Sequence, residues 1–406
     1  MNLNLLSRKI SLKTSLFILG GLILIYFLGI FYGMNNYDFK TVYDYSTFAR
    51  LKLNIYAATS TTGCYCYYLP FFSILMIPFT FLQMQIASLV FFYLNIILLT
   101  ILIANLLNDF KLVINTNRKK AVVILLMFLM IFPFLTDNIR LGQVDLILCF
   151  LGYFGLKYYY EKKLGLSAFC FAISGFKIIT LIYFFFVLFS KKIKYILLYL
   201  TFLVFFILLP FLYFGILGGL KQYVNLFANN TARKISIDIL LGIDKTHVQS
   251  FWRLVASFLK SFNISNDQIL DIIILILLFS ILIYTYVVIK KLDNLNRETT
   301  YIIGSVFLII MLLFFPDLNS HHYTLLLIPF SLIVFRAMKN KEKLEIILIS
   351  VIIVANIFSS RDFVGKRIYV MMQSFYLYML VMLLLIVYLF YDLNKLNKQN
   401  YLIKNM

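Results

Sequence analysis

Four groups of polar residues stand where apolar runs of the sequence end, and their side chains could do chemistry together. The groups are Asp38; Arg140 with Gln143; Lys177; and Asp317 to Tyr323, which includes His321 and His322. If they lie at the same end of neighbouring helices, a carboxylate, several cations and two imidazoles can together bind a phosphate and move a proton. Helix ends also favour Asp, Asn and Ser as caps, so residue types alone leave a purely structural role open.

Other kinds of site have weaker support. Adjacent residues on a helix point about 100° apart, and helical metal pairs prefer i, i+3 or i+4 spacing, so we expect His321 and His322 to contact phosphate or cap a helix rather than bind a metal. Cys64 and Cys66 are too close for an unstrained disulfide and lack zinc-ligand neighbours.

The sequence has no glycine-rich nucleotide loop, Walker motif or Gly-x-Ser-x-Gly elbow. A nucleotide-sugar donor, an ATPase activity and a serine hydrolase activity are therefore unsupported.

The elements that must position these residues are membrane helices. The 406 residues are 62% hydrophobic and only 13% charged, whereas soluble domains carry about a quarter charged residues. Runs such as residues 272–289 are long enough to span a bilayer and do not alternate as barrel strands do. The formal charge of +20 comes mainly from short basic clusters between apolar runs, which is typical of cytoplasmic loops rather than of nucleic-acid binding.

We predict an all-α polytopic membrane protein of about twelve spanning helices, a single domain over residues 1–406 in the plasma membrane. The termini are expected in the cytoplasm, because this puts most short basic segments inside. Two external segments interrupt the helices: 35–82, with an interfacial or re-entrant helix near its end, and 217–266. The predicted helices are 14–34, 83–107, 121–136, 143–160, 164–176, 178–190, 195–216, 268–289, 299–315, 322–337, 344–358 and 368–391.

Residues 164–190 determine this topology. Basic pairs flank both ends, and a single crossing would place most later basic loops outside. We therefore predict a hairpin of two half-helices with Lys177 near its turn. Each half is about 20 Å long, too short for a full crossing. A lysine at that depth is costly unless it meets an anion, although its side chain could instead extend to the surface.

Six short motifs follow one another over roughly residues 15–335, and their order resembles that in glycosyltransferase family 87. They are Tyr37-Asp38-Phe39 with Val42-Tyr43; Asn54-Ile55-Tyr56 with Tyr67-Tyr68-Leu69-Pro70-Phe71 and Ile77-Pro78-Phe79; Leu141-Gly142-Gln143-Val144-Asp145; Gly175-Phe176-Lys177; Val248-Gln249-Ser250; and Ser320-His321-His322-Tyr323 through Pro329. The chain departs from the family pattern at Leu69, where a proline is usual, at Asp145, which replaces Asn, at Val248, which replaces Asn, and after Lys177, where the usual proline is missing.

The resemblance implies a C-type glycosyltransferase fold and a polyprenyl-phosphate sugar as donor, typically mannose or a related hexose. It implies transfer with inversion on the non-cytoplasmic face to a glycolipid or glycan acceptor. Asp38 would be the catalytic base; chemistry alone leaves Asp38 and Asp44 tied. Lys177, Arg140 and His321 or His322 would stabilise the leaving phosphate, without metal or other cofactor. Further substrate-binding candidates are Asp44, Gln143, Asp145 and Gln249, and the lipid tail would lie in a groove open to the bilayer.

Two other functions stay open. A lipid-linked-sugar flippase or transporter predicts charges near the membrane midplane and paired interrupted helices, whereas only one interrupted hairpin is visible. An outer-face polysaccharide polymerase would use a diphosphate-linked donor and arginines in two large external loops.

Overall fold

The computed structural model describes most of the chain after the predicted first helix. The described residues are 36–56, 60–62, 66, 68–110, 116–231, 236–241, 250–292, 295–316, 318–340, 342–358, 364–365 and 376–404. The predicted helix 14–34 and the candidate residue Gln249 lie outside these ranges, as does the first part of the predicted helix 368–391.

Helices make up the described structure. They are α1 (Tyr37–Arg50), α2 (Pro70–Leu75), α3 (Met84–Asp109), α4 (Asn117–Leu141), α5 (Asp145–Tyr160), α6 (Leu164–Ser174), α7 (Tyr183–Phe189), α8 (Ile193–Phe214), α9 (Ile216–Thr231), α10 (Ile237–Leu241), α11 (Phe251–Ser261), α12 (Asp267–Lys290), α13 (Arg297–Leu313), α14 (Leu327–Asn340), α15 (Lys343–Phe358) and α16 (Leu377–Lys404), with 3₁₀ helices at Ile77–Phe81, Ile178–Ile182 and Ser320–Leu326.

Six helical segments within these ranges are long and apolar enough to cross a membrane. They are Met84–Asp109, Asn117–Leu141, Ile193–Phe214, Asp267–Lys290, Ser320–Asn340 and Leu377–Asn397. Their length and hydropathy match the roughly 20 apolar residues that a bilayer requires. The chain is therefore an all-helical membrane protein.

The core lies around α13 and the segment that follows it. Every residue from Thr299 to Leu313 is buried, and 89% of the apolar window of Ser320–Asn340 is buried, compared with 28% for α12. Helix α12 instead exposes large apolar side chains such as Ile276 and Ile283. Since lipid is as apolar as these side chains, the exposed faces of such helices suit contact with the bilayer.

Residues 164–190 form two short helices, α6 and α7, joined by a turn and the 3₁₀ helix Ile178–Ile182, which agrees with the predicted pair of half-helices. Phe171 of α6 stacks on Tyr183 of α7 with 4.4 Å between the ring centroids. Phe186 of α7 also contacts Phe171, at 5.5 Å, and Tyr159 of α5, at 5.2 Å. Lys192 lies 4.5 Å above the ring of Tyr159. The turn between the helices carries Lys177.

The two segments predicted to be external contain more helix than the sequence suggests. Residues 35–82 contain α1, whose buried Phe39, Val42, Tyr45 and Ala49 lie along one face. The interfacial helix expected near the end of this segment corresponds to α2 and the 3₁₀ helix Ile77–Phe81. Residues 217–266 contain most of α9, together with α10 and α11.

Candidate functional site

A glycine turn between α4 and α5 brings the first polar pair together. Gly142 ends α4 in the left-handed conformation, with a φ of 70°, and the amide of Gln143 donates to the carbonyl of Asn138 at 2.9 Å. This is the common role of glycine after a helix C-terminus. A Cβ atom on Gly142 would lie 2.7 Å from the Cβ of Phe39, so only glycine lets α1 approach this closely.

The close approach of α1 places Asp38 against Gln143. The Nε2 atom of Gln143 donates to the Oδ2 atom of Asp38 at 2.5 Å. Asp38 lies in the first turn of α1 and is partly exposed. Burial raises the pKa of Asp38 above its ordinary value, and the charge of Asp145 acts in the same direction, while the Gln143 hydrogen bond and the positive charge of Lys177 oppose this shift. A carboxyl group with a raised pKa is a stronger base than a free aspartate.

Replacing Gly142 by alanine is expected to loosen this contact. The new methyl group would press on Phe39, and a left-handed backbone costs a residue with a Cβ atom about 1–2 kcal/mol. We expect a lower midpoint of thermal unfolding in detergent and a loss of activity larger than the loss of folded protein. Gly165→Ala is the matched control, because a Cβ atom there meets nothing within 4 Å. Equal stability of the two variants would contradict the account.

A buried ion pair forms the second part of the site. The Nζ atom of Lys177 lies 2.5 Å from the Oδ1 atom of Asp145, whose side chain is completely buried in the first turn of α5. The Lys177 turn is held by the segment that leads into α2, because the amide of Leu69 donates to the carbonyl of Phe176 at 2.8 Å. The Phe176 ring also stacks on Phe72 with 4.2 Å between the centroids.

The two histidines complete the site from the 3₁₀ helix Ser320–Leu326. His321 Nε2 lies 3.7 Å, and His322 Nδ1 3.8 Å, from the Oδ2 atom of Asp145. The 3₁₀ helix is fixed to α4, since Ser320 donates to Asp137 Oδ2 at 2.5 Å. The donor atoms of Asp145, His321 and His322 lie within 4.8 Å of one another, a spacing that could hold a metal ion. Asp38, Gln143, Asp145, Lys177, His321 and His322 are therefore brought to one place.

Two predicted residues lie elsewhere. Arg140 pairs with Asp137 at 3.2 Å, and 58% of its side chain is exposed, so it is not part of the buried cluster. The Oδ2 atom of Asp44 accepts hydrogen bonds from the amide and the hydroxyl of Thr61 at 2.8 and 2.7 Å. Asp44 thus holds the segment after α1.

Tyr68 is a site residue that the sequence did not single out beyond its motif. Its ring packs against Phe176 with 6.0 Å between the centroids. Burial raises the pKa of the Tyr68 hydroxyl, and the charges of Asp145 and Asp38 raise it further. The hydroxyl therefore lies within electrostatic reach of both carboxylates. Its place in the run from Tyr67 to Pro70, beside a predicted interfacial helix, was the only signal available.

Comparison with known proteins decides the class of the protein. The sequence model of glycosyltransferase family 87 matches residues 66–316, which is more than half of the chain. The chain belongs to glycosyltransferase family 87. Comparisons with curated proteins and with solved structures found no match.

Membership of family 87 makes the protein a membrane glycosyltransferase. The matched range includes Gln143, Asp145 and Lys177, while Asp38 and the two histidines lie outside it. What connects these outer residues to the matched range is the hydrogen bond from Gln143 to Asp38 and the approach of both imidazoles to Asp145.

Proposed function

We propose that this family 87 glycosyltransferase transfers a hexose such as mannose from a polyprenyl-phosphate donor to a lipid or glycan acceptor. One observation carries the proposal. A half-buried carboxylate, Asp38, and a buried ammonium group, Lys177, face one site, linked through Gln143 and Asp145. The first group suits an acceptor hydroxyl, and the second suits a phosphate.

Asp38 acts as the general base in this proposal. The acceptor hydroxyl donates its hydrogen bond to the Asp38 carboxylate, which takes the proton as the oxygen attacks the anomeric carbon. The bond from this carbon to the donor phosphate breaks on the opposite face, and the sugar configuration inverts. A phosphate leaves as a stable anion, so no protonated acid is needed as it is in a glycosidase.

Lys177 stabilises the phosphate charge that develops during transfer. Only about a tenth of its side chain is exposed, and in such a water-poor place a fixed cation lowers the energy of a developing anion strongly. Before the donor binds, Asp145 balances this charge. The imidazoles of His321 and His322, both buried, face the same carboxylate and could donate hydrogen bonds to phosphate oxygens.

The remaining features of the proposal concern the membrane. The C-type fold is what the family resemblance implies, and the apolar runs support about twelve spanning helices. The basic clusters between helices support cytoplasmic termini and a reaction on the outer face. The lipid tail of the donor would lie between helices and face the bilayer. The hairpin of α6 and α7 supports such an opening, since α6 has 11 residues, or about 16 Å, against the roughly 30 Å of the hydrocarbon layer.

The activity of the enzyme should rise with pH as Asp38 loses its proton. Below the Asp38 pKa the carboxyl is protonated and cannot accept a proton, and burial places that pKa above the ordinary aspartate value. Gln143→Leu removes a hydrogen bond that favours the charged form, so the acidic limb of kcat/KM should move to higher pH. Profiles of both proteins measure this; a limb that moves to lower pH in the variant would contradict it.

The donor class can be tested with purified protein in liposomes. Radiolabelled polyprenyl-phosphate hexose should be consumed, with labelled glycolipid or glycan and free polyprenyl phosphate as products. Nucleotide sugars should not be used. Movement of the lipid-linked sugar across the bilayer without transfer would favour a flippase, and consumption of a diphosphate-linked oligosaccharide instead would favour a polymerase.

A further inference from the structure

We propose that Asp145, His321 and His322 bind one divalent metal ion of the Zn²⁺ or Mn²⁺ type, which contacts the donor phosphate. The contact with phosphate rests on the proposed function, whereas binding of the ion does not. The family resemblance implies a reaction without metal, and the reason to depart from it is the convergence of three buried ligand atoms in this structure.

The spacing of the three side chains suits one ion. Zinc ligands lie about 2.0–2.2 Å from the metal, so two ligands of a tetrahedral site are roughly 3.4 Å apart. Asp145 Oδ2 lies 3.7 Å from His321 Nε2 and 3.8 Å from His322 Nδ1. Small side-chain rotations would bring all three atoms into the shell of one ion.

Neighbouring histidines can converge here because they use different ring nitrogens. His321 presents Nε2, the far nitrogen of its ring, and His322 presents Nδ1, the near one. The ring centroids are 4.3 Å apart. The expectation that adjacent histidines rarely share an ion assumes that both rings present the same nitrogen. The different reach of Nε2 and Nδ1 offsets the divergence of neighbouring side chains, which is about 120° in a 3₁₀ helix.

Two of the proposed ligand atoms form no hydrogen bond within the described part of the chain. The Oδ2 atom of Asp145 and the Nδ1 atom of His322 are fully buried, and neither has a hydrogen-bond partner among the described residues. Asp145 is completely buried, and 4% of His322 is exposed. Buried polar atoms are almost always satisfied in native proteins, and one cation between these two atoms would satisfy both.

The charge of the site also favours a cation. Asp38 and Asp145 are opposed only by Lys177 within the cluster, which leaves a formal charge of −1 when the imidazoles are neutral. The phosphodiester of the donor would bring a second negative charge into a poorly solvated place, which is costly. A divalent ion restores neutrality. Lys177 occupies Oδ1 of Asp145 and leaves Oδ2 facing the histidines.

The ligand set leaves room for substrate. Three protein ligands with an open fourth position are typical of catalytic zinc sites. A phosphate oxygen in that position would be polarised, and its developing charge stabilised, as the sugar leaves. Asp145 would then connect the ion to Lys177, so that both cations act on one leaving group.

Metal binding can be measured without any transfer reaction. Purified protein is stripped with a chelator and dialysed against Zn²⁺ or, separately, Mn²⁺, and bound metal is counted. The wild type should bind one ion per chain. His321→Gln, His322→Gln and Asp145→Asn should each weaken binding at least tenfold. Glu342→Gln, a surface carboxylate beyond the far end of α14 that pairs with Lys395, should bind as the wild type does.

Contact with phosphate has its own measurement. Mn²⁺ in the site should broaden the ³¹P resonance of a short-chain polyprenyl phosphate in the wild type and not in Asp145→Asn. A wild type that binds no ion, or binds it no better than the Asp145 and histidine variants, would overturn the site even if those variants fold poorly. Metal binding without broadening would overturn the role toward phosphate. None of these results depends on sugar transfer, so failure here leaves the donor assay free to succeed.

Discussion

Asp38→Asn is expected to lower transfer from the lipid-linked donor by roughly 10²- to 10⁴-fold, the usual contribution of a general base. Asparagine keeps the size of the side chain and can still accept the hydrogen bond from Gln143. It cannot take the proton of the acceptor hydroxyl. The loss should therefore fall on kcat, with near-normal amounts of folded protein and near-normal binding of the donor. Initial rates with radiolabelled donor in liposomes measure it.

Asp44→Asn is the matched control for this loss. Both aspartates lie on α1, but Asp44 accepts from the amide and hydroxyl of Thr61, a role that the amide oxygen of asparagine can keep. The variant should retain most of the activity. If Asp44→Asn were inactive and Asp38→Asn active, the base would have to be reassigned.

Lys177→Met is expected to cost both stability and activity. Removing the ammonium leaves Asp145 charged and completely buried without its partner, and breaking a buried ion pair in this way typically costs about 3–5 kcal/mol. The midpoint of thermal unfolding in detergent should fall clearly. Fluorescence can follow the unfolding, because the chain has one tryptophan, Trp252, whose Nε1 atom donates to the carbonyl of Phe314.

A second substitution separates the two effects. In Lys177→Met with Asp145→Asn, the buried charge is gone as well, so most of the lost stability should return. Lys177, proposed to stabilise the leaving phosphate, is still missing, and so is the Asp145 ligand of the proposed metal ion, so activity should stay at least 10²-fold below the wild type. Recovery of activity together with stability would show that Lys177 serves the fold alone.

The hydrophobic pattern predicted the helices well because lipid-length apolar runs have few alternatives. The predicted 83–107, 195–216 and 268–289 correspond to Met84–Asp109, Ile193–Phe214 and Asp267–Lys290. The pattern failed where polar residues extend a helix. The predicted 121–136 continues to Leu141, since Asp137 and Arg140 pair along the same helical face.

Helix α1 was missed for a similar reason. Its 14 residues mix polar, aromatic and small apolar side chains and carry no long apolar run. It is stable because one face packs on the turn at Gly142 and on Phe91, whose ring lies 4.7 Å from that of Phe39. Such tertiary contacts are invisible in the spacing of a single sequence.

The sequence predicted which residue types meet at one membrane depth. It could not predict which side chains pair with which. The order of motifs indicated Asp38, Gln143, Asp145 and Lys177. Their pairing into one hydrogen bond and one ion pair depends on the hairpin of α6 and α7 and on the glycine at Gly142.

Two charged clusters beyond the site could not be found from the sequence. Asp109 accepts from the hydroxyls of Tyr153 and Tyr301 at 2.6 and 2.5 Å. Arg336, near the end of the predicted helix 322–337, is buried between Glu298 and Asp392. Both clusters join helices distant in sequence, and nothing in local spacing reveals such partners.

The hydrogen bond from Leu69 to Phe176 joins the segment of residues 35–82 to the lysine turn. On one side of this bond the chain leads back through Tyr68 toward Asp38, the proposed base, and on the other it continues directly into Lys177, the group proposed to bind the donor phosphate. The contacts of the Phe176 ring with Phe72 and Tyr68 strengthen the same junction. For the proposed reaction we therefore expect the affinity for the donor to depend on whether the acceptor is bound.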